Sequence, residues 1–358
     1  MSQKEKIGFK AFLKKKNIEI SWHRYLIDAM GSMAQGLFAS LLIGTILGTI
    51  GTQFGIKALE EMGGYAKAVA GPAMAVAIAF SLKAPNLVLF LMLAVGSASN
   101  AIGGAGGPLA VLIIAIIATE FGKLVSKETK IDILVTPLVS IGVGVGLAML
   151  IAKPIGDGAA KVGDMIMWAT DLQPFLMGIL VSVLVGVALT LPISSAAICA
   201  ALSLTGLAGG AAVAGCCAQM VGFAVMSFKE NGVGGLVSQG IGTSMLQMGN
   251  IVKNPRIWIP PILASAITGP LATCVFGLQM NGAPISSGMG TCGFVGQIGV
   301  YTGWVNDVAS GAKDAITAMD WTGLILICFV LPAVLSWVFG KILRKINWIK
   351  ENDLKLPE

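Results

Sequence analysis

The chain has 358 residues, 55% of them hydrophobic and only 12% charged, with a formal net charge of +6. A charged fraction about half the ordinary soluble level, with a mean hydropathy of +0.84, excludes a water-soluble globular domain of this length. Apolar stretches near the ~20 residues that cross a hydrocarbon core recur along it, so the expected fold class is an all-α polytopic membrane protein; a β-barrel would show short alternating segments.

Residues 1–25 carry Lys4, Lys6, Lys10, Lys14, Lys15, Lys16 and Arg24. Phe9, Phe12 and Leu13 recur at helical spacing among these lysines, and Trp22 and Tyr25 close the segment. This predicts a cytoplasmic amphipathic helix lying on an anionic leaflet. The run from Leu26 to Ile50 is too long for a signal h-region, so no cleavable leader is expected. The far end carries Lys341, Arg344, Lys345, Lys350 and Lys355. The positive-inside rule puts both ends in the cytoplasm and makes the number of crossings even. The expected organisation is an amphipathic segment at 1–25, a transmembrane domain at 26–345 and a cytoplasmic tail at 346–358. Basic ends are also a nucleic-acid signal, but here each abuts an apolar span, so the expected partner is membrane lipid and not nucleic acid.

In chain order, spans are expected at 26–50, 66–83, 131–152, 174–191, 207–228, 256–280 and 322–343. A weaker one at 232–252, interrupted by glycines, brings the count to eight. The loop 120–132, with Lys123, Lys127 and Lys130, reads as cytoplasmic; the loop 306–320, with Asp307, Asp314 and Asp320, reads as external. Over 156–172, Val162, Met165, Ile166, Ala169 and Leu172 share one helical face, and Lys161, Asp164 and Asp171 the other. That pattern predicts a separate helix lying flat at the external surface. All six cysteines sit in apolar or glycine-rich segments, none with metal spacing, and read as buried, reduced thiols.

Three regions do not fit simple spans. The apolar run 86–95 reaches about halfway across the core before meeting "GSASNAIGGAGGP". "LPISSAAICA" begins at Leu191, and "NGAPISSGMGTCG" begins at Asn281. Both carry Pro-Ile-Ser-Ser. Irregular backbone at membrane depth survives only when packed in protein or lining a wet cavity, and broken helices are how many transporters build their sites. One reading is an inverted pair of re-entrant loops. The other is two ordinary helix breaks.

The spans hold almost no ionisable side chains, which argues against a proton pump or voltage sensor. No catalytic set, zinc spacing or phosphate loop is present, and the sole His23 reads as an interfacial anchor. No catalytic residue, metal or cofactor is expected. The polar groups on offer are neutral: Asn100 in the first break, Ser194 and Ser195 in the second, and Asn281, Ser286, Ser287, Thr291 and Gln297 in the third. Gln239, Thr243, Gln247 and Asn250, at spacings of four, four and three, read as one polar helical stripe, and Gln219 sits alone in an apolar span. Amides and hydroxyls suit a small neutral polar ligand. The competing account is helix–helix hydrogen bonding.

"SNAIGGAGGPLA" (99–110), "LPISSAAICAALSLTGLAGGAA" (191–212) and "NGAPISSGMGTCGFVGQIG" (281–299) resemble the EIIC membrane component of phosphotransferase-system sugar permeases, in the branch that includes the perfringolysin regulator. The resemblance implies a homodimeric bundle of roughly eight to ten transmembrane segments with re-entrant hairpins, in the bacterial cytoplasmic membrane, and a sugar site between two subdomains. It implies separate IIA and IIB proteins as partners. Glucose-type members carry a glutamate in a Gly-Ile-Thr-Glu-like motif and a histidine at the sugar site; neither stands here. The chain is therefore expected not to be catalytic by itself. The leading reading is a permease for a small neutral solute, most simply a sugar. The alternatives are a non-transporting sensor or regulator, and an ion-coupled carrier or channel.

Overall fold

A computed structural model describes residues 9–356. Its backbone is almost wholly helical; among the described residues there is no strand, only an isolated bridge between Gly206 and Met280. Helix α1 (Phe9–Lys15) precedes the long α2 (His23–Phe54). Gly55, at φ +67°, turns the chain back into α3 (Lys57–Ala68), and α4 (Ala70–Ser81) follows at a 48° bend. The expected span at 66–83 is therefore the second half of a longer bent leg. Small residues set its path. Gly44 and Gly51 of α2 lie against α3, and Gly36 lies against Ala73 and Met74 of α4. A Cβ at any of these would overlap the neighbouring helix, so the helices approach closely without a hydrophobic driving force between them.

The expectation that the run 86–95 stops halfway is overturned. Helix α5 (Asn86–Gly103) continues through "GSASNAIG" for 18 residues, about 27 Å. The small residues do not break it; Gly96 packs on Gly71 of α4 instead. Gly104, at φ +51°, then reverses the chain into α6 (Gly107–Val125), a leg missing from the expected spans. The two run antiparallel, with Gly122 against Val88 near the open end and Gly107 against Asn100 near the tip. By length and hydropathy six helices can cross a membrane among the described residues, or seven with α3–α4 taken as one. That count takes Asn86–Val125 once, although it folds into two legs.

Helix α7 (Asp132–Thr170) is also longer than expected. The span at 131–152 and the separate helix at 156–172 join through a π-turn at Ala148–Ala152. The wider turn tolerates the missing N–H of Pro154 just beyond it. Its last turns bury Ala159, Gly163, Ile166 and Ala169, whereas Met165 is 53% exposed. Then come α8 (Pro174–Thr190), the short α9 (Ser195–Ala201) and α10 (Gly206–Met226). Helix α10 is the central post, buried along most of its length. Its glycines admit backbone neighbours: Gly215 meets Ser182 of α8, and Gly210 meets Leu278.

The weak span expected at 232–252 is not a helix across a membrane. After α11 (Phe228–Val237) the chain makes a π-turn at Ser238–Gly242, an extended step at Thr243 (φ −157°) and a 3-10 turn at Ser244–Gln247 before α12 (Met248–Lys253). The remaining helices are α13 (Pro255–Val275), α14 (Val295–Ala309) and α15 (Ala318–Lys345). Five cysteines are buried and unpaired. Cys274 is exposed, contrary to expectation, because it faces outward from α13.

Basic residues near the start of the chain fold onto the protein. Arg24 donates to Leu82 O at 2.6 Å, and Lys123 donates to Leu82 O at 3.0 Å and Asn17 O at 2.7 Å while pairing with Glu120 at 2.9 Å. Leu82 ends α4, so both cations meet the negative end of its dipole. Lys123 is 1% exposed, a buried strut where an open loop lysine was expected. Lys16 pairs with Glu128 at 2.6 Å and donates to Ser126 O. Lys4 and Lys6 lie outside the described residues.

Candidate functional site

The two Pro-Ile-Ser-Ser breaks meet. Helix α8 ends at Thr190, since Pro192 lacks an N–H and disfavours helix in the residue before it. Ser194 then caps α9 by accepting from Ala197 N at 3.2 Å. The second break forms a 3-10 turn, Pro284–Gly288. Ser195 Oγ donates to Gly288 O at 2.7 Å, and a Cβ on Gly288 would sit 2.5 Å from Ser195 O. Ser287 Oγ donates to Leu204 O at 2.7 Å, tying the second break to the loop after α9. The first glycine-rich break joins through the backbone, with Ser194 N donating to Ala105 O at 2.8 Å at the α5–α6 tip.

Beside this junction lies a groove of about 640 Å³. Ser194 and Ser286 line one wall, Thr302 of α14 another, and Thr45, Thr49, Thr52 and Gln53 of α2 a third. Gln53 Nε2 reaches Thr302 Oγ1 at 3.3 Å across the rim. The remaining wall is α3, which contributes Glu60 and Lys67. Seven residues apart, these two stand on one face about 10 Å apart along the helix axis. Both are exposed and make no ion pair among the described residues. They are the groove's only ionisable lining among the described residues, and sequence reasoning missed them: Glu60 fell between the expected spans and Lys67 within the first turn of the one at 66–83. The available signal was the spacing Gly44, Gly48, Gly51, a face of α2 that admits only a closely packed helix.

Of the nine candidate residues, Ser194 and Ser286 line the groove. Ser195 and Ser287 fasten the breaks behind it. Asn100 packs on Gly71 and Gly107 in the α5–α6 hairpin, away from the groove. Gln297 donates to Cys217 Sγ at 3.2 Å, with its Oε1 buried and unpartnered. Asn281 donates to Asp307 Oδ2 at 2.8 Å in a separate polar cavity of about 200 Å³ with Gln279, Trp304, Lys313 and Asp320.

Gln239 and Gln247 belong to a different structure. The expected stripe is not on one helix, but its amides still form a chain. Gln247 Nε2 donates to Gln239 Oε1 at 2.8 Å, and Asn250 Nδ2 donates to Gln247 Oε1 at 2.8 Å. The chain grips the C-terminal segment: Gln247 donates to Leu354 O at 2.9 Å, Asn250 to Lys355 O at 2.9 Å and Asn231 to Leu354 O at 2.8 Å. Leu354 is fully buried. Gln219 is structural as well: its Oε1 accepts from Trp258 Nε1 at 2.8 Å and from Thr190 Oγ1 at 3.3 Å.

Two smaller cavities lie between the groove and this amide clasp on the tail. The first, of about 50 Å³, shares Leu41, Ser194 and Met289 with the groove and extends to Gly242 and Thr243. The second, of about 260 Å³, holds Gln35, Phe38, Ser238 and the tail's Leu356. Between them the Phe38 ring abuts Gly242 so closely that no Cβ would fit.

No curated protein matches the chain, and neither does any solved structure. A family model described as "Phosphotransferase system, EIIC" matches residues 27–356. That range contains the groove, both breaks and the clasp. The apolar helices and this match make it a multi-pass cell-membrane protein that works with IIA and IIB proteins, and the chain belongs to the EIIC family, the membrane component of the phosphotransferase system.

Proposed function

We propose that the chain is a permease subunit that translocates a small neutral polar solute, a sugar, through the groove beside the paired breaks. The observation that carries this reading is the meeting of the helix end before Pro192 with the 3-10 turn that Pro284 opens, beside one hydroxyl-lined cavity. Ser194, Ser286, Thr49 and Thr302 present donors and acceptors together, which suits a polyhydroxylated ligand. Glu60 adds an acceptor that can hold a sugar hydroxyl, and Lys67 a donor.

The transport unit is 26–345, flanked by cytoplasmic segments at 1–25 and 346–358, and the working form is a homodimer with re-entrant breaks. Gln53, at the groove, stands 29 residues beyond Arg24 on α2, about 43 Å along the axis. With the ends in the cytoplasm the groove opens outward, and the Phe38–Gly242 contact closes the inner route. Translocation moves the paired breaks relative to α2 and parts that contact. The phosphate comes from the separate IIA and IIB proteins.

The test is equilibrium binding of a panel of radiolabelled sugars to the purified full chain, followed by Ser194→Ala/Ser286→Ala. A retained sugar whose affinity falls in that variant, with the fold intact, is the expected result. A sugar bound with unchanged affinity by the variant places the site elsewhere. No binding by any neutral sugar removes the assigned substrate class.

A further inference from the structure

A second cleft, of about 380 Å³, shares no residue with the groove and lies where α15 meets the end of α10 and α11. Its walls are apolar: Val225, Phe228, Leu236 and Trp337. Phe228 and Trp337 are each 47% exposed. Its rim carries three cations, Lys229, Lys341 and Arg344, and among the described residues no carboxylate lines it.

The three cations differ in how they are held. Arg344 is fixed by Glu230 at 2.6 Å, a carboxylate whose own side chain is 2% exposed. Lys229 reaches Glu351 of the tail at 2.7 Å, with both side chains exposed. Lys341 has no ion pair among the described residues; its Nζ lies 3.9 Å from the centroid of the Trp337 ring. The cleft is thus apolar along its walls and cationic at its rim. Helix α15 is apolar enough to cross the membrane, and Arg344 and Lys345 occupy its last turn, at the depth where lipid headgroups sit.

We propose that this cleft binds an anionic phospholipid. The phosphate lies among Lys341, Arg344 and Lys229, and an acyl chain lies along Trp337 and Phe228. The headgroup competes with Glu351 for Lys229, so an occupied cleft weakens one of the tail's attachments. Neither step depends on the solute carried by the groove.

The test uses the full chain in lipid nanodiscs containing brominated phosphatidylglycerol or brominated phosphatidylcholine. Bromine quenches nearby tryptophan, and the difference between the wild-type chain and Trp337→Phe isolates Trp337 from the other six tryptophans. The expected result is quenching of Trp337 at an anionic-lipid fraction about threefold or more below that needed with the zwitterionic lipid. Lys341→Gln should remove this preference. Lys341→Arg, and Lys130→Gln at an exposed position elsewhere, should retain it. Equal quenching by the two lipids, or a preference that survives Lys341→Gln, overturns the proposal. Displacement of the lipid by millimolar soluble glycerol phosphate identifies a site for free phosphates and also overturns it.

Discussion

Ser195 Oγ and Gly288 O lie 2.7 Å apart, although 93 residues separate them in the chain. This one bond turns two similar helix breaks into a single wall. Gly288 is buried, so its carbonyl has no water to take the place of the serine.

Ser195→Ala should therefore destabilise more than a surface change. It leaves a buried carbonyl without its donor, at a cost of about 1–3 kcal/mol. Gly288→Ala should be worse, because its Cβ would meet Ser195 backbone at 2.5 Å. Thermal unfolding in detergent checks both. A melting temperature for Ser195→Ala equal to that of the native chain would show that the two breaks do not depend on this bond.

The threading predicts opposite sides for two exposed positions. In a Cys274→Ser background, Ser310→Cys should react with an impermeant thiol reagent in intact cells. Asn352→Cys should react only after permeabilisation, because the basic ends hold it in the cytoplasm. The five buried cysteines stay silent in both. Reversed labelling would invert the groove and place it on the cytoplasmic side.

Loosening the clasp should open the inner route. Gln247 is fully buried and donates to both Gln239 and Leu354 O. Gln247→Leu removes both bonds and the acceptor of Asn250, strands Gln239 Oε1 and leaves Leu354 O held by Asn231 alone, so the tail should become sensitive to protease. Leu354→Ala acts from the other partner by emptying a fully buried site, at about 2–5 kcal/mol. In either background Ser238→Cys, beside Phe38, should gain reactivity toward a reagent added from the cytoplasmic side. Unchanged reactivity would mean the tail does not cover that mouth.

The tail's outer attachment should be indifferent to pH over the physiological range. The Lys229 ammonium holds the Glu351 carboxyl below its usual value, and Glu351 in turn raises Lys229. A lowered carboxylate contributes stability above its unfolded value and loses it as pH falls through the folded one. A raised lysine contributes below its unfolded value and loses it as pH rises through the folded one. The pair thus stays intact from about pH 5 to about pH 10. Both groups are exposed, so Glu351→Gln should change tail proteolysis only slightly, and salt should mimic it. Glu230→Gln should act more strongly, because it leaves Arg344 without its buried partner. Similar effects from the two substitutions would refute this ordering.

Composition and local pattern were enough for the class of molecule, its membrane location and the helix end before Pro192. Those properties are local. Apolar length, charge at the ends and a proline's missing N–H act within a turn or two of the residue that causes them. They marked Ser194 and Ser286, which line the groove, because each stands two residues after a proline, Pro192 just past the end of α8 and Pro284 at the start of a 3-10 turn. The small-residue run after 95 misled for the same reason. Glycine lowers helix propensity locally, yet Gly96 stays helical because it packs against Gly71. What only the tertiary structure decided is which broken ends meet, and which polar residues face a cavity. Glu60 and Lys67 enter the groove because the glycine face of α2 draws α3 against it. Gln239 and Gln247 leave it because the tail, 107 residues after Gln247, offers carbonyls they can satisfy. Inside a membrane protein a neutral amide has no water to fall back on, so its partner is chosen by proximity in space, and sequence spacing does not carry that choice.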